Sequence, residues 1–213
     1  MNDATRIIAI RHGQTAWNAE TRMQGQLDTA LDAHGRWQAQ QLAHALAHES
    51  IDAIVSSDLS RALDTAAPLA QALSLRVQSE RGLRERSFGL FQGFTYADIA
   101  RHWPEEAARW RARDAAFAPP RGESLNGFYV RCVDVAQRLA AQHAGRSVVW
   151  VTHGGVLDCL YRAATRVALD APRTWPLDNA SVNRLLHGDQ GLMLVGWGDV
   201  RHLDAPGLPT REA

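Results

Sequence analysis

The sequence predicts an α/β protein, a three-layer α/β/α sandwich with a mostly parallel central sheet and a helical lid-like insertion. Two uninterrupted apolar runs, Ile7-Ile8-Ala9-Ile10 and Val148-Val149-Trp150-Val151, suit strands buried on both faces. Both runs end on His-Gly, as Arg11-His12-Gly13 and Thr152-His153-Gly154-Gly155. Between and after them, apolar residues recur at helical spacing, which argues for helices on both faces of the sheet.

The elements follow in order. After the first strand, a polar stretch from Gln14 to about Leu31 reads as a loop. A helix beginning at Asp32 or Ala33 carries Ala39, Leu42, Ala43 and Leu46 on one face. Asp52-Ala53-Ile54-Val55 is a short second strand, and Ser56-Ser57-Asp58 supply N-caps for the next helix. That helix has Leu59, Ala62, Ala66, Leu69, Ala70 and Leu73 as its stripe, with a bend expected at Pro68. Arg76-Val77-Gln78 is a third strand candidate.

From Arg81 to Ser124 the pattern becomes irregular, with Gly82, Gly89 and Gly93, then a polar helical stretch and Pro119-Pro120. Residues 94–124 are expected to lie over the sheet as a lid within a single domain spanning 1–213. A long amphipathic helix follows through Leu125, Phe128, Tyr129, Cys132, Ala136 and Leu139, and another is expected from Val156 to about Ala164. Val182–Leu186 and Leu192–Trp197 read as strands joined by turn residues 187–191.

Lys and Arg number 23, as do Asp and Glu, so the chain has no global attraction for nucleic acid or an anionic membrane. Anion binding would come from locally clustered arginines. Met1–Arg6 lacks the apolar region of a signal peptide, and no apolar run approaches the roughly 18–20 residues of a membrane span. A cytoplasmic location is expected, with Cys132 and Cys159 as reduced core thiols.

Parallel strands that end alike place His12 and His153 at one edge of the sheet, where open α/β sheets bind ligands. Arg61, in the first turn of its helix, reaches the same edge, and Glu85 comes from the irregular segment. Two imidazoles, two or more guanidiniums and one carboxyl suit a phosphoryl group. Arginine stays charged and forks onto two oxygens. A neutral imidazole can attack phosphorus, and a protonated carboxyl can supply the leaving alkoxide with its proton. The helix start at Gly154-Gly155 offers further N–H groups to an anion.

Arg11-His12-Gly13-Gln14-Thr15-Ala16-Trp17-Asn18 resembles the signature of the histidine phosphatase superfamily, which includes cofactor-dependent phosphoglycerate mutases and many small phosphatases. The likeness continues through Gln24-Gly25, Asp28 with Gly35 and Gln38-Ala39, Ser56-Ser57 with Arg61-Ala62, Leu83 with Glu85 and Phe88-Gly89, Gly122-Glu123-Ser124, and Thr152–Gly155. Gln14 departs from the pattern, standing where many relatives carry Glu. The resemblance implies a phosphoglycerate mutase-like fold. It makes His12 the nucleophile, Arg11, Arg61 and His153 the phosphoryl ligands, and Glu85 the general acid and later base. It also gives Asn18, Gln24, Gly25 and the Gly154 backbone to substrate seating.

The segment between Gly93 and Gly122 is short and its arginines are scattered, which favours hydrolysis of a small phosphorylated metabolite over a bisphosphoglycerate-dependent mutase. A catalytically silent phosphate-binding module is a third reading. No cofactor and no metal are expected; His44 and His48 share a helix face but lack a third ligand. Arg109 and Arg113 are read as a solvated helix face, with Arg111 and Arg121 equally without an assigned role. The tail strands leave an edge on which a homodimer would form.

Overall fold

The computed structural model describes residues 4–204, so the ends of the expected 1–213 domain lie outside the described residues. Strand β1 (Thr5–Arg11) pairs in parallel with β4 (Ser147–Thr152), with Arg11 opposite Thr152. The two His-Gly sequences therefore leave the sheet side by side. Strand β4 also pairs in parallel with β2 (Ala53–Ser56), and β2 with β3 (Val77–Ser79). The hairpin of β5 (Val182–Gly188) and β6 (Gly191–Asp199) adds antiparallel to β1, giving the order β3-β2-β4-β1-β5-β6.

Successive strand residues point to opposite faces. Ile8, Ile10, Val149 and Val151 pack under helices α2 (Ala33–Leu46) and α3 (Ser60–Leu73). Ile7, Ala9, Val148 and Trp150 pack under α6 (Leu125–Gln142) and α7 (Gly154–Thr165). Uninterrupted apolar strands are thus the direct consequence of helices on both sides.

Local chemistry departs from the expectations in several places. The Gln14–Leu31 stretch contains a short helix, α1 (Ala16–Ala19), fixed by a reciprocal capping box between Thr15 and Asn18. The residue preceding α3 is Leu59, not Ser56, Ser57 or Asp58. Its first N–H groups are met from a distance: Ser60 donates its backbone N–H to Asp28 Oδ1 at 2.8 Å. Asp58 instead pairs with Arg84. Helix α3 continues through Pro68 to Leu73. Helix α7 starts at Gly154, two residues before the expected Val156, and the tail strands close up to leave only Asp189-Gln190 between them.

Over the carboxyl edge of the sheet lie α4 (Tyr96–His102) and α5 (Pro104–Arg111), within the expected lid segment. They hold their own aromatic core, in which Phe91 touches Trp103, Trp110 and Phe117. Cys132 and Cys159, expected as core thiols, are both free and buried, and they touch one another across α6 and α7.

Candidate active site

His12 is buried where β1 ends. Its backbone N–H donates to Thr152 O at 2.9 Å, and its carbonyl accepts from Asn179 Nδ2 at 2.9 Å. Ring atom Nδ1 lies 2.7 Å from the Gly13 carbonyl. A carbonyl only accepts, so Nδ1 carries the proton and Nε2 carries the lone pair. Burial, then the Arg61 and Arg11 guanidiniums, hold this imidazole well below its ordinary range. It is neutral at pH 7. Glycine is required next to it: a Cβ at Gly13 would stand 2.6 Å from the Gly35 carbonyl.

His153 faces His12 with ring centroids 5.1 Å apart. Its Nε2 meets Ser57 Oγ at 2.8 Å, while Nδ1 is buried without a partner. It too is held well below the ordinary histidine range, by burial and then by Arg61, His12 and Arg11. Arg61 is completely enclosed and donates to Gly25 O at 2.7 Å and Leu27 O at 2.9 Å. Burial pushes its pKa down to about 10, which leaves it charged at neutral pH. Arg11 donates to Leu177 O. The Nε atoms of both arginines are buried and without an acceptor, so each keeps a donor for an incoming anion.

Glu85 faces the same cavity, and neither flanking arginine pairs with its carboxylate. Oε1 accepts the Arg86 backbone N–H at 2.7 Å, and Oε2 accepts the Gly155 N–H at 2.9 Å. Of the N–H groups expected to offer an anion site at Gly154-Gly155, that of Gly155 is spent on orienting Glu85, while Gly154 lines the cavity. A Cβ at Gly155 would lie 2.1 Å from Glu85 Oε1, so the carboxylate sits where only glycine leaves room.

Arg11, His12, Arg61, Glu85 and Gly154 line one cavity of about 500 Å3, together with Asn18, Gln24 and Gly25. Asn18 Oδ1 accepts from Thr15 and from Asn179, and Gln24 Oε1 accepts from Thr29 Oγ1 at 2.5 Å. Gly25, at φ 57°, turns its carbonyl onto Arg61. His153 lies behind His12, against Ser57.

Arg86, Arg113 and Asp158 also line the cavity, without having been assigned to the site from the sequence. Arg86 is buried, donates to Glu123 O and Phe117 O at 2.9 Å each, and lies 4.6 Å over the Trp110 ring. Burial pushes its pKa down to about 10. Arg113 does not share a helix face with Arg109, because α5 ends at Arg111 and Arg113 adopts φ 53°. It points inward to Asp158 Oδ2 at 3.0 Å and lines the cavity, whereas Arg109 pairs with Asp114 near the surface. Arg111 and Arg121 are exposed. Asp158, the third, interrupts the apolar run Val156-Leu157-Asp158-Cys159-Leu160, a signal that was readable. Among the described residues no group of three or more His, Cys, Asp or Glu side chains is placed to hold a metal ion.

A sheet edge that gathers two neutral histidines, the buried Arg61 and the part-buried Arg11 defines a phosphoryl-transfer class of site. The chain belongs to the histidine phosphatase superfamily (branch 1), whose family model matches residues 7–200. It is similar to phosphoglycerate mutase-like protein 4 of Arabidopsis thaliana, 41% identical over 97% of this chain and 90% of the relative. It is also 36% identical to a metal-independent phosphoserine phosphatase of Arabidopsis thaliana, over 99% of this chain and 88% of that one. Among solved structures, a mycobacterial glucosyl-3-phosphoglycerate phosphatase in complex with VO3 superposes with a TM-score of 0.80 at 37% identity, covering 91% of this chain and 98% of that one.

Proposed function

We propose that this protein is a metal-independent phosphomonoester hydrolase that works through a phosphohistidine at His12 on small phosphorylated metabolites. The observation that carries the reading is the fixed tautomer of His12: with Nδ1–H committed to Gly13 O, the Nε2 lone pair is left for phosphorus. Two of the relatives reported above are phosphatases of small phosphorylated metabolites, which supports the same activity.

The reaction follows from the geometry. Arg11 and Arg61 take the phosphoryl oxygens through donors the protein itself leaves unmet, and His153 Nδ1 is a further ring nitrogen without a partner beside them. These groups are buried, so their hydrogen bonds to developing charge are strong and already oriented. His12 Nε2 attacks phosphorus, the P–O ester bond breaks, and Glu85 gives its proton to the departing alkoxide. Water then attacks the phosphorus of the phosphohistidine, Glu85 takes its proton, and the P–N bond breaks to return neutral His12. Asn18, Gln24, Gly25 and Gly154 seat the substrate at the cavity wall.

The test is a screen of phosphorylated metabolites for phosphate release, with His12→Ala as control. Phosphate should be released from 3-phosphoglycerate in the presence of 2,3-bisphosphoglycerate without net formation of 2-phosphoglycerate. Stoichiometric isomerisation would make the protein a mutase instead. Absence of any His12-dependent hydrolysis, p-nitrophenyl phosphate included, would make it a binding module.

The buried free thiols Cys132 and Cys159 fit a reducing, cytoplasmic setting. The exposed apolar residues Met193, Leu194 and Val195 on edge strand β6 are offered to a second copy, giving a homodimer. Light scattering checks this: a monomer mass at micromolar concentration rules it out. No helix among the described residues is long and apolar enough to cross a membrane.

A further inference from the structure

Asp158 is a carboxylate on a helix face otherwise given to packing, and it is more than nine-tenths buried. Its Oδ2 is doubly held, by Arg162 Nε at 3.0 Å and by Arg113 Nη2 at 3.0 Å. Its Oδ1 has no hydrogen-bond partner at all. A buried carboxylate oxygen without a donor is costly, and such an atom in a folded protein is accounted for by a water or a ligand that supplies the donor. Asp158 lines the same cavity as the phosphoryl groups. It follows Gly154 by one helical turn, on the same face of α7, which places it about 6 Å along the helix axis from the phosphate end.

Its charge is already met. Arg162 is itself completely buried and is further tied to Ala168 O and Ala171 O, and Arg113 is tied to Leu169 O at 2.8 Å. Two guanidiniums against one carboxylate leave the cluster positive, which disfavours an ammonium donor. A neutral hydroxyl suits the vacant acceptor. Trp110, Phe117 and Phe128 also line the cavity and present apolar surface that covers the C–H groups of a carbon skeleton.

We infer that Asp158 is a specificity-determining residue that accepts a hydrogen bond from a hydroxyl of the leaving group, so that the preferred substrates are phosphomonoesters of polyols or sugars, with a hydroxyl on the second or third carbon beyond the ester oxygen. This rests on the phosphatase reading above. Arg162 and Arg113 fix the carboxylate plane, and Arg162, which is not part of the cavity wall, acts on the substrate only through Asp158.

The experiment compares kcat/KM for glycerol 3-phosphate and n-propyl phosphate, which have the same chain length and differ by two hydroxyls. The wild-type protein should favour glycerol 3-phosphate by about tenfold or more, since an analogue that lacks the hydroxyl leaves a buried acceptor unpaired. Asp158→Leu, whose side chain neither donates nor accepts a hydrogen bond, should bring the ratio to within about threefold of unity. Equal kcat/KM for the two substrates in the wild type overturns the inference, and so does a folded Asp158→Leu protein that keeps the full preference. The wild-type comparison stands even if the variant fails to fold. His12-dependent hydrolysis of p-nitrophenyl phosphate separates the outcomes: present without a hydroxyl preference, it overturns the role of Asp158 alone; absent, the phosphatase reading fails and the role of Asp158 with it.

Discussion

The two ends of the cavity are built in different ways. At the phosphate end, Arg11, His12 and His153 are set by adjacent parallel strands, and Arg61 stands in the first turn of α3 next to them. Their hydrogen bonds run mostly to backbone carbonyls and buried hydroxyls of the sheet-edge loops, within two large cores. At the leaving-group end, Arg86 and Arg113 come from irregular chain, and the aromatic residues around them form a separate, smaller core. The first end is a rigid product of topology. The second is held together by a handful of aromatic contacts. On the proposed roles, chemistry common to many phosphomonoesters sits at the sheet edge, and selection among them sits at the second end.

The sharpest break between the ends is expected from His12→Ala. Loss of the nucleophile should abolish the phosphoenzyme and lower kcat by at least about 10^4-fold, the order seen when a nucleophile that acts as a unit with its partners is removed. Rapid acid-free quench with radiolabelled substrate checks it. A base-stable, acid-labile adduct that persists in the variant would place the nucleophile elsewhere.

Glu85→Gln comes next and touches both ends, because Glu85 is tethered to α7 and is proposed to serve the leaving group. General acid catalysis contributes typically about 10^2–10^4-fold, and only where the leaving group needs a proton. Alkyl phosphates should therefore slow by about that factor, while p-nitrophenyl phosphate, whose phenolate leaves unaided, should slow far less. Equal slowing of both would remove Glu85 from the acid role.

This contrast between the ends also accounts for what could be read from the sequence. Buried parallel strands write themselves as apolar runs, so Ile7–Ile10 and Val148–Val151 were legible, and with them the register that sets His12 beside His153. Amphipathic α2, α3 and α6 were legible by period for the same reason. The cap of α3 was not, since its acceptor is Asp28, 32 residues earlier in the chain. Arg113 was misread because its inward direction follows from a left-handed backbone at the end of α5, and no helical period carries across that turn. Arg86 owes its place to the carbonyls of Glu123 and Phe117, partners 37 and 31 residues away. Long-range carbonyls leave no mark on local sequence.

Phe91→Ala asks whether the lid is a separate unit. Phe91 is fully buried at the centre of the lid cluster, against Trp103, Trp110 and Phe117. Truncating a buried phenylalanine costs about 3–5 kcal/mol. The loss should be local: amide exchange should quicken across 88–117 while the amides of β1 and β4 keep their protection. Uniform acceleration across the sheet would show that lid and body unfold as one.

The phosphate end makes the smallest but most general prediction, through the protonation of its histidines. His12 and His153 are both held well below the ordinary imidazole range, chiefly by burial and then by Arg61. Unfolded, each would titrate near about 6.5. Below that pH the unfolded chain binds protons that the folded protein refuses, so stability is complete above it and falls as pH drops. Each histidine contributes a slope of at most about 1.4 kcal/mol per pH unit between the unfolded and folded values. Denaturant unfolding at pH 7, 6 and 5 measures it, and His153→Asn should flatten the curve by one proton's worth. The same argument predicts a neutral His12 with Nδ1–H at pH 6, visible in long-range nitrogen–proton correlations of the ring. Finding an imidazolium there would mean that the lone pair offered to phosphorus is occupied, and the division of labour between a neutral nucleophile and charged arginines would have to be abandoned.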